Sequence, residues 1–318
     1  MLLVLAGCSS VPQVPATAPP PPPPAAESPV AEGEGDKLET ARESVRSATE
    51  WLARRVDRWF GDKPFEEGGR VSNGYLGLRL KWREDDGLEP SLRFNARFDL
   101  PNLREHAYVF IGRDNEREVV TDQPGEFSRE ERLLAESARQ DRSFFAGLGL
   151  TLKDAIELRA GVRRGYRLYT QARYRKIWPL AERSRVEFRE TLFWTVTEGF
   201  GATTAFSAEH AFTPSLALRW LNAATVSQKT DGMAWSSGLG LFKVFGADRL
   251  LSGEAVIGGE TGRDVDVTEY GLRAKWQQPV YRDWLIGELI VGHYWPRESL
   301  QVERGRSWAV GLGVQMRF

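Results

Sequence analysis

The chain has 318 residues and a single cysteine, Cys8, which excludes a disulfide framework and any cysteine-built zinc site. Its three histidines, His106, His210 and His293, leave little material for His-rich metal or acid–base chemistry. No apolar run approaches the roughly 18 residues that a transmembrane helix needs, so a helical membrane protein is excluded. Charge of one sign is missing as well. Lys+Arg 43 against Asp+Glu 44 gives a formal net charge of −1, and no whole-molecule basic field exists for nucleic acid. What the chain does have is 11 Trp and 31 Gly, a combination foreign to an ordinary helical enzyme.

The N-terminus divides into three parts. Residues 1–8 end in an apolar run and the tetrad Leu5-Ala6-Gly7-Cys8. This resembles the lipobox of bacterial lipoproteins, in which the cysteine is diacylated and becomes the new N-terminus. The resemblance implies lipidation at Cys8, and Ser9 in place of Asp implies passage to the outer membrane. No basic stretch precedes the run, so a start codon further upstream is expected. Residues 9–35 are rich in Pro, Ala and Glu, with six prolines from Pro19 to Pro24. Such a composition cannot bury a core and favours an extended tether. Residues 36–69 hold a predicted helix from Asp36 to Phe60 and a connector. Its apolar stripe reads Leu38, Ala41, Val45, Ala48, Leu52, Val56 and Trp59, and Gly61 and Pro64 stop it. Packing on the main domain is the plain expectation for this helix; a plug, a membrane-surface helix or a partner-binding helix are the others.

From residue 70 to 318 the period changes to two. At the C-terminus Trp308, Val310, Leu312, Val314, Met316 and Phe318 alternate with Ala309, Gly311, Gly313, Gln315 and Arg317. Similar alternation runs through Leu76–Trp82, Leu92–Phe98, Ile156–Val162, Leu216–Trp220 and Tyr270–Trp276, with Arg or Lys on the second phase. A soluble sandwich would not bury arginine on so many strands, so the apolar phase must face lipid. The closing Phe318 and the strand from Trp308 resemble the C-terminal insertion signal of Gram-negative outer-membrane β-barrels, which the barrel assembly machinery reads.

Fourteen segments of this kind predict a closed antiparallel up-and-down barrel; twelve or sixteen would keep the class. They are 72–83, 90–100, 104–112, 142–153, 155–164, 166–177, 184–196, 200–211, 215–227, 233–245, 249–259, 266–277, 283–295 and 305–318. Short turns alternate with longer loops, and the charged segment 113–141 is expected outside the cell. Trp82, Trp194, Trp235, Trp295 and Trp308 fall at one strand end, and Trp178, Trp276 and Trp284 at the other, as two interfacial girdles. Glu190 falls on the lipid phase, where a bulge would rescue it.

The inward phase is rich in cations. Arg79, Arg93, Arg97, Arg159, Arg163, Arg173 and Arg189 are the anion-binding candidates, outnumbering inward acids such as Glu157, Glu187, Glu209 and Glu288. The plain alternative is a lumen filled by paired charges. Gly-Leu-Gly repeats at 147–149 and 311–313 read as small inward residues rather than phosphate loops. None of the histidines makes a defensible nucleophile–base–orienter set, so no catalytic residue, metal or cofactor is expected. The expected roles are a pore for small or anionic solutes, or an envelope scaffold binding a protein or polymer through residues 9–69, with an outer-membrane enzyme a minor third. The expected surroundings are outer-membrane lipid, a periplasmic lipid-anchored N-terminus and no nucleic acid.

Overall fold

In the computed structural model, residues 32–318 are described apart from 59, 104–105, 116–120, 122–141, 153–154, 164–165, 230–231, 247–248 and 298. The lipobox at Cys8, residues 9–31 of the expected Pro-rich tether, Trp59, most of the segment 113–141 and Lys153 lie outside the described residues, while 32–35 belong to the helix rather than to the tether.

The described residues form one helix, α1 (Glu32–Asp57), and fourteen strands. These are β1 (Arg70–Arg83), β2 (Gly87–Asp99), β3 (Ala107–Asn115), β4 (Arg142–Leu152), β5 (Ile156–Arg163), β6 (Arg167–Ala181) and β7 (Ser184–Thr195). The second half has β8 (Gly199–Thr213), β9 (Leu216–Ser227), β10 (Ala234–Phe245), β11 (Arg249–Glu260), β12 (Glu269–Tyr281), β13 (Leu285–Pro296) and β14 (Ser307–Arg317). Every strand pairs antiparallel with its sequence neighbours, and β1 pairs with β14 from Tyr75↔Arg317 to Arg83↔Ala309, closing the barrel.

The lipid phase read from the sequence is the outer surface. Leu78, Leu80, Trp82, Leu148, Leu192, Leu239, Leu272, Trp308 and Leu312 are all exposed, although large and apolar. An apolar belt around a closed wall is stable only in lipid, and closure pairs the backbone polar groups that lipid cannot satisfy. Among the described residues no helix is long and apolar enough to cross a membrane; the strands make the crossing.

Residues 182–183, 214–215 and 282–284 close tight turns at the end that carries α1 and both barrel termini, where only 100–106 is longer among the described connections. Residues 261–268 and 297–306 lengthen the opposite end, beside the short connections 84–86 and 196–198. Four register shifts also gather at the short-turn end, at Ser72/Tyr75, Pro179/Ala181, Ala211/Thr213 and Pro279/Tyr281. Two of them sit at prolines, which cannot donate to the ladder and are tolerated at such irregular rims.

The position of α1 corrects the expected helix stripe. Leu38, Arg42, Val45, Thr49, Leu52, Ala53, Val56 and Asp57 turn toward the wall, whereas Ala41 and Ala48 are exposed. The reason is the surface beneath. Ala53 and Phe65 pack on Ala96, Phe98, Leu100 and Val109, with Leu52, Val56, Val71 and Phe94 at the margin. Phe94, Ala96 and Phe98 belong to the outward phase of β2, so here the expected lipid is replaced by protein. Only a small residue such as Ala53 lets the helix approach that closely.

The helix therefore lies outside the barrel and follows its rim. Near its start Glu39 binds Arg282 in the β12–β13 turn at 3.2 Å. In the middle Arg42 Nε donates to the Arg317 carbonyl at 3.1 Å, and its guanidinium lies 5.1 Å above Trp284. At the far end Asp57 accepts hydrogen bonds from the Asn102 backbone and side-chain amides at 3.3 and 2.8 Å. In between it passes the β1–β14 seam, where the Phe318 amide donates to Gly74 O and the Phe318 ring stacks on Phe94. Trp284 is thus not a girdle residue: it is 3% exposed beneath Arg42. Glu190 needs no bulge either. The register on both sides of it is regular, and on the outer face its carboxylate accepts a 2.7 Å hydrogen bond from Thr204.

If α1 covers β2, a bulky residue at Ala96 must displace it. Ala96→Trp should destabilise the protein by about 1–3 kcal/mol through overpacking. Ala160→Trp, on an exposed stretch of the outer wall, should change stability by less than about 0.5 kcal/mol. Urea unfolding followed by tryptophan fluorescence compares the two, and equal effects would place α1 elsewhere.

Candidate functional site

The lumen lining has a recurring three-layer construction. Its first layer is glycine on the inner wall. Its second is an aromatic ring that covers that glycine, from the neighbouring strand for Tyr108 on Gly149, Phe110 on Gly147 and Tyr294 on Gly271, and from two positions along the same strand for Phe242 on Gly240 and Tyr294 on Gly292. A Cβ at any of these glycines would come within 3.0 Å of the ring. The third layer is an arginine over the ring. Arg97 lies 3.6 Å from the Tyr108 centroid, Arg159 5.5 Å from Phe110, Arg219 5.3 Å from Phe242 and Arg83 5.2 Å from Tyr294. Cation–π attraction and the packed ring fix guanidiniums that would otherwise sample many rotamers. Their charge is therefore held at defined points on the lumen wall.

Carboxylates complete the lining by sharing. Glu157 is held by Arg159 at 3.0 Å and Arg173 at 3.3 Å, and its other contact is the Tyr108 hydroxyl. Glu187 lies between Arg175 at 2.8 Å and Arg189 at 3.6 Å. Glu209 takes Arg185 at 3.0 Å and Arg219 at 2.8 Å, and Glu288 takes Arg79 at 2.6 Å and Lys275 at 3.4 Å. A carboxylate has lone pairs enough for two bases, and each such trio keeps one net positive charge. This is how few inward acids accommodate many inward bases. Glu254 with Arg273 is a one-to-one pair, deeply buried.

The seven candidate arginines do not meet in one ring. Arg79 and Arg93 line a small void with Gln277 and Glu288 near β1, β13 and β14. Arg97, Arg173 and Arg189 share a cavity at the short-turn end with Arg175, Glu157 and Glu187. Arg159 belongs to the Tyr108–Glu157 cluster above it. Arg163 sits toward the opposite end and donates to Thr197 Oγ1 at 2.7 Å. The shared row Glu157, Arg173, Thr191, Thr203 and Thr225 runs through β5 to β9, and its last two hydroxyls are 2.9 Å apart.

At the long-loop end, Arg83 is fully buried and ties Asp85 at 2.6 Å, Ser307 at 3.2 Å and Glu269 at 2.7 Å. Burial alone would raise the pKa of Asp85, in the β1–β2 turn, but hydrogen bonds from Ser307 and Arg83 outweigh it and hold the carboxyl below the ordinary range. That contribution is present above the usual carboxylate pKa and is lost as pH falls through the lowered value.

The histidines are placed as follows. His293 is on the outer face, with Trp295 and Trp308 each 4.4 Å away, while Ser307 points inward to Arg83. His106 has φ 77° and forms the turn into β3. His210 Nδ1 is 2.8 Å from Ser184 Oγ at the outer short-turn rim, a contact that the sequence did not suggest. The adjacent Glu209 points to the other face of the sheet, toward Arg185 and Arg219. The Ser–His contact is therefore a cross-strand pair of the wall.

No family model and no curated protein matches the sequence. Solved structures similar in fold include the KdgM porin in complex with disordered oligogalacturonate, at 10% identity, covering 77% of this chain and 99% of that one with a TM-score of 0.39. An anion-selective porin from Comamonas acidovorans is 8% identical, with 79% and 100% covered and a TM-score of 0.46. The outer membrane channel DcaP of Acinetobacter baumannii is 8% identical, with 81% and 99% covered and a TM-score of 0.48. The likeness is one of barrel architecture, and the functional reading rests on this chain's own residues.

The layered lining makes a testable pair. Gly149→Ala should cost about 1–3 kcal/mol by driving a methyl into the Tyr108 ring. In the background of Tyr108→Leu the same change should cost less, with a coupling above about 0.5 kcal/mol. A double-mutant cycle from urea midpoints measures it, and additivity would remove the ring from that glycine.

Proposed function

We propose that the protein is a bacterial outer-membrane channel, lipid-anchored at Cys8, whose lumen favours small anions, and that it is not an enzyme. The observation that carries this reading is the sharing of Glu157, Glu187, Glu209 and Glu288 between two bases each, which leaves excess positive charge along the lining. Inside a low-dielectric wall such charge focuses the field and enriches anions locally. The short-turn end, with α1 and both barrel termini, is the periplasmic one in this reading, on the side where the acyl chains of Cys8 would enter the inner leaflet. The apolar outer belt makes lipid the surroundings, and insertion falls to the barrel assembly machinery through the strand from Trp308 to Phe318.

A second reading, the envelope scaffold, draws on the lumen-side burial of Arg83, Tyr294, Ile290 and Lys81, which fill the wall between β1 and β13. Partner binding would then fall to residues 9–69. Conductance separates the two readings. Purified protein in a planar bilayer should pass chloride in preference to potassium at low salt. The preference should fade as ionic strength shortens the Debye length to about 8 Å and below. Arg185→Gln with Arg219→Gln leaves Glu209 with neither base and should move the reversal potential toward cations, and Glu209→Gln should move it the other way. Cation selectivity of the unmodified protein would end the anion reading, and absence of conductance would favour the scaffold.

The anchor has its own test. Cys8→Ser should abolish acyl labelling while leaving the barrel inserted, as heat-modifiable mobility on gels reports.

A further inference from the structure

The cavity at the short-turn end has a volume of about 440 Å³ and lies on the inner face between β2, the β4–β5 turn, β6 and β7. Four guanidiniums line it, those of Arg97, Arg173, Arg175 and Arg189, against two carboxylates, Glu157 and Glu187. Among these described lining residues, four positive less two negative charges come to +2, and Asp99, which bridges Arg97 and Arg70 at the edge, is offset by Arg70. The arginines are graded in depth. Arg175 is 54% exposed at the mouth, Arg189 is 16% exposed, and Arg173 is 7% exposed furthest in. Each is held at the chamber wall: Arg97 by the ring of Tyr108 and by Asp99 at 3.5 Å, Arg173 by Glu157, and Arg175 and Arg189 by Glu187. Anchored guanidiniums lose little freedom when an oxyanion arrives, and their planar forks match carboxylate and phosphate oxygens.

We propose that this chamber is a binding site for a small organic or inorganic anion carrying at least two negative charges on carboxylate or phosphate oxygens. The inference rests on the anion-channel reading and narrows it from a preference for negative charge to a specific station at the periplasmic mouth. A single negative charge cannot neutralise the chamber, whereas a dianion can. A volume within the roughly 300–1,000 Å³ of small-molecule sites suits a di- or tricarboxylate or a sugar phosphate. Glu157 and Glu187 stay in place as internal competitors: they position the arginines and repel the incoming anion, so that only one with more than a single charge is held.

The test uses the full-length protein in detergent and isothermal titration calorimetry at low salt, with citrate, pyrophosphate and acetate as probes. Citrate or pyrophosphate should bind at least tenfold more tightly than acetate, and which of the two is tighter identifies carboxylate or phosphate as the preferred group. Arg173→Gln with Arg189→Gln should weaken that binding at least tenfold, and Arg263→Gln, on the exposed β11–β12 loop, should leave it unchanged. Glu187→Gln, which removes a competitor and adds no bulk, should tighten binding and serves if the double variant does not fold. Equal affinity for acetate, or binding indifferent to the chamber variants, would overturn the site. Bilayer selectivity is read separately. Anion selectivity without citrate or pyrophosphate binding defeats the site alone, and binding without conductance defeats the channel while leaving the site.

Discussion

The pairing of β1 with β14 is the contact on which everything else rests. It joins residues more than 200 positions apart, and without it two strand edges would present bare amides and carbonyls to lipid. Its inward positions show what closure makes available: Arg79 faces Glu288 across Gly313, and Arg83 reaches Glu269 past Ala309. Small residues on β14 let charges on β1 meet those on β13 and β12. The seam also has external reinforcement, since α1 bonds the Arg317 carbonyl at its end and packs beyond it on β2 and β3.

Inside the wall, the structure resolves a conflict between many bases and few acids. Burying a guanidinium with no partner is costly, and pairing each one would cancel the field that the proposed anion pathway needs. Sharing one carboxylate between two bases meets both demands. Glycine contributes by giving aromatic rings room against the wall, where Arg97, Arg159, Arg219 and Arg83 lie over them. Stability and charge placement thus come from the same stacks.

The outer face follows different rules at its two ends. Across most of the belt Leu, Val, Phe and Trp meet lipid singly, and polar departures such as Glu190 find a neighbour, here Thr204. At the short-turn rim β2 and β3 trade lipid for α1, and the helix leaves Trp51 57% exposed on its far side, with Arg55 over the ring. An exposed Trp–Arg stack beside the lipid belt suits the membrane interface, where an amphipathic ring is at home.

The sequence by itself determined the strand number, the phase of each strand and the closed barrel, because a side-chain period of two is local and a wall between lipid and lumen imposes it on every strand. Strand ends read from it differ from the observed ones by at most a few residues, as at β6 and β12, whose final turns carry proline. It also marked the inward arginines, since a charge on the alternate phase has only one side to go to. What it could not determine was which inward residues meet. That depends on the register between strands, which brings Arg97 over Tyr108 and Arg175 to Glu187, and no local pattern encodes register. The same limit explains α1. Its apolar residues specify a helix, but only the surface of β2 and β3 chose the face built on Ala53 over the one built on Ala48.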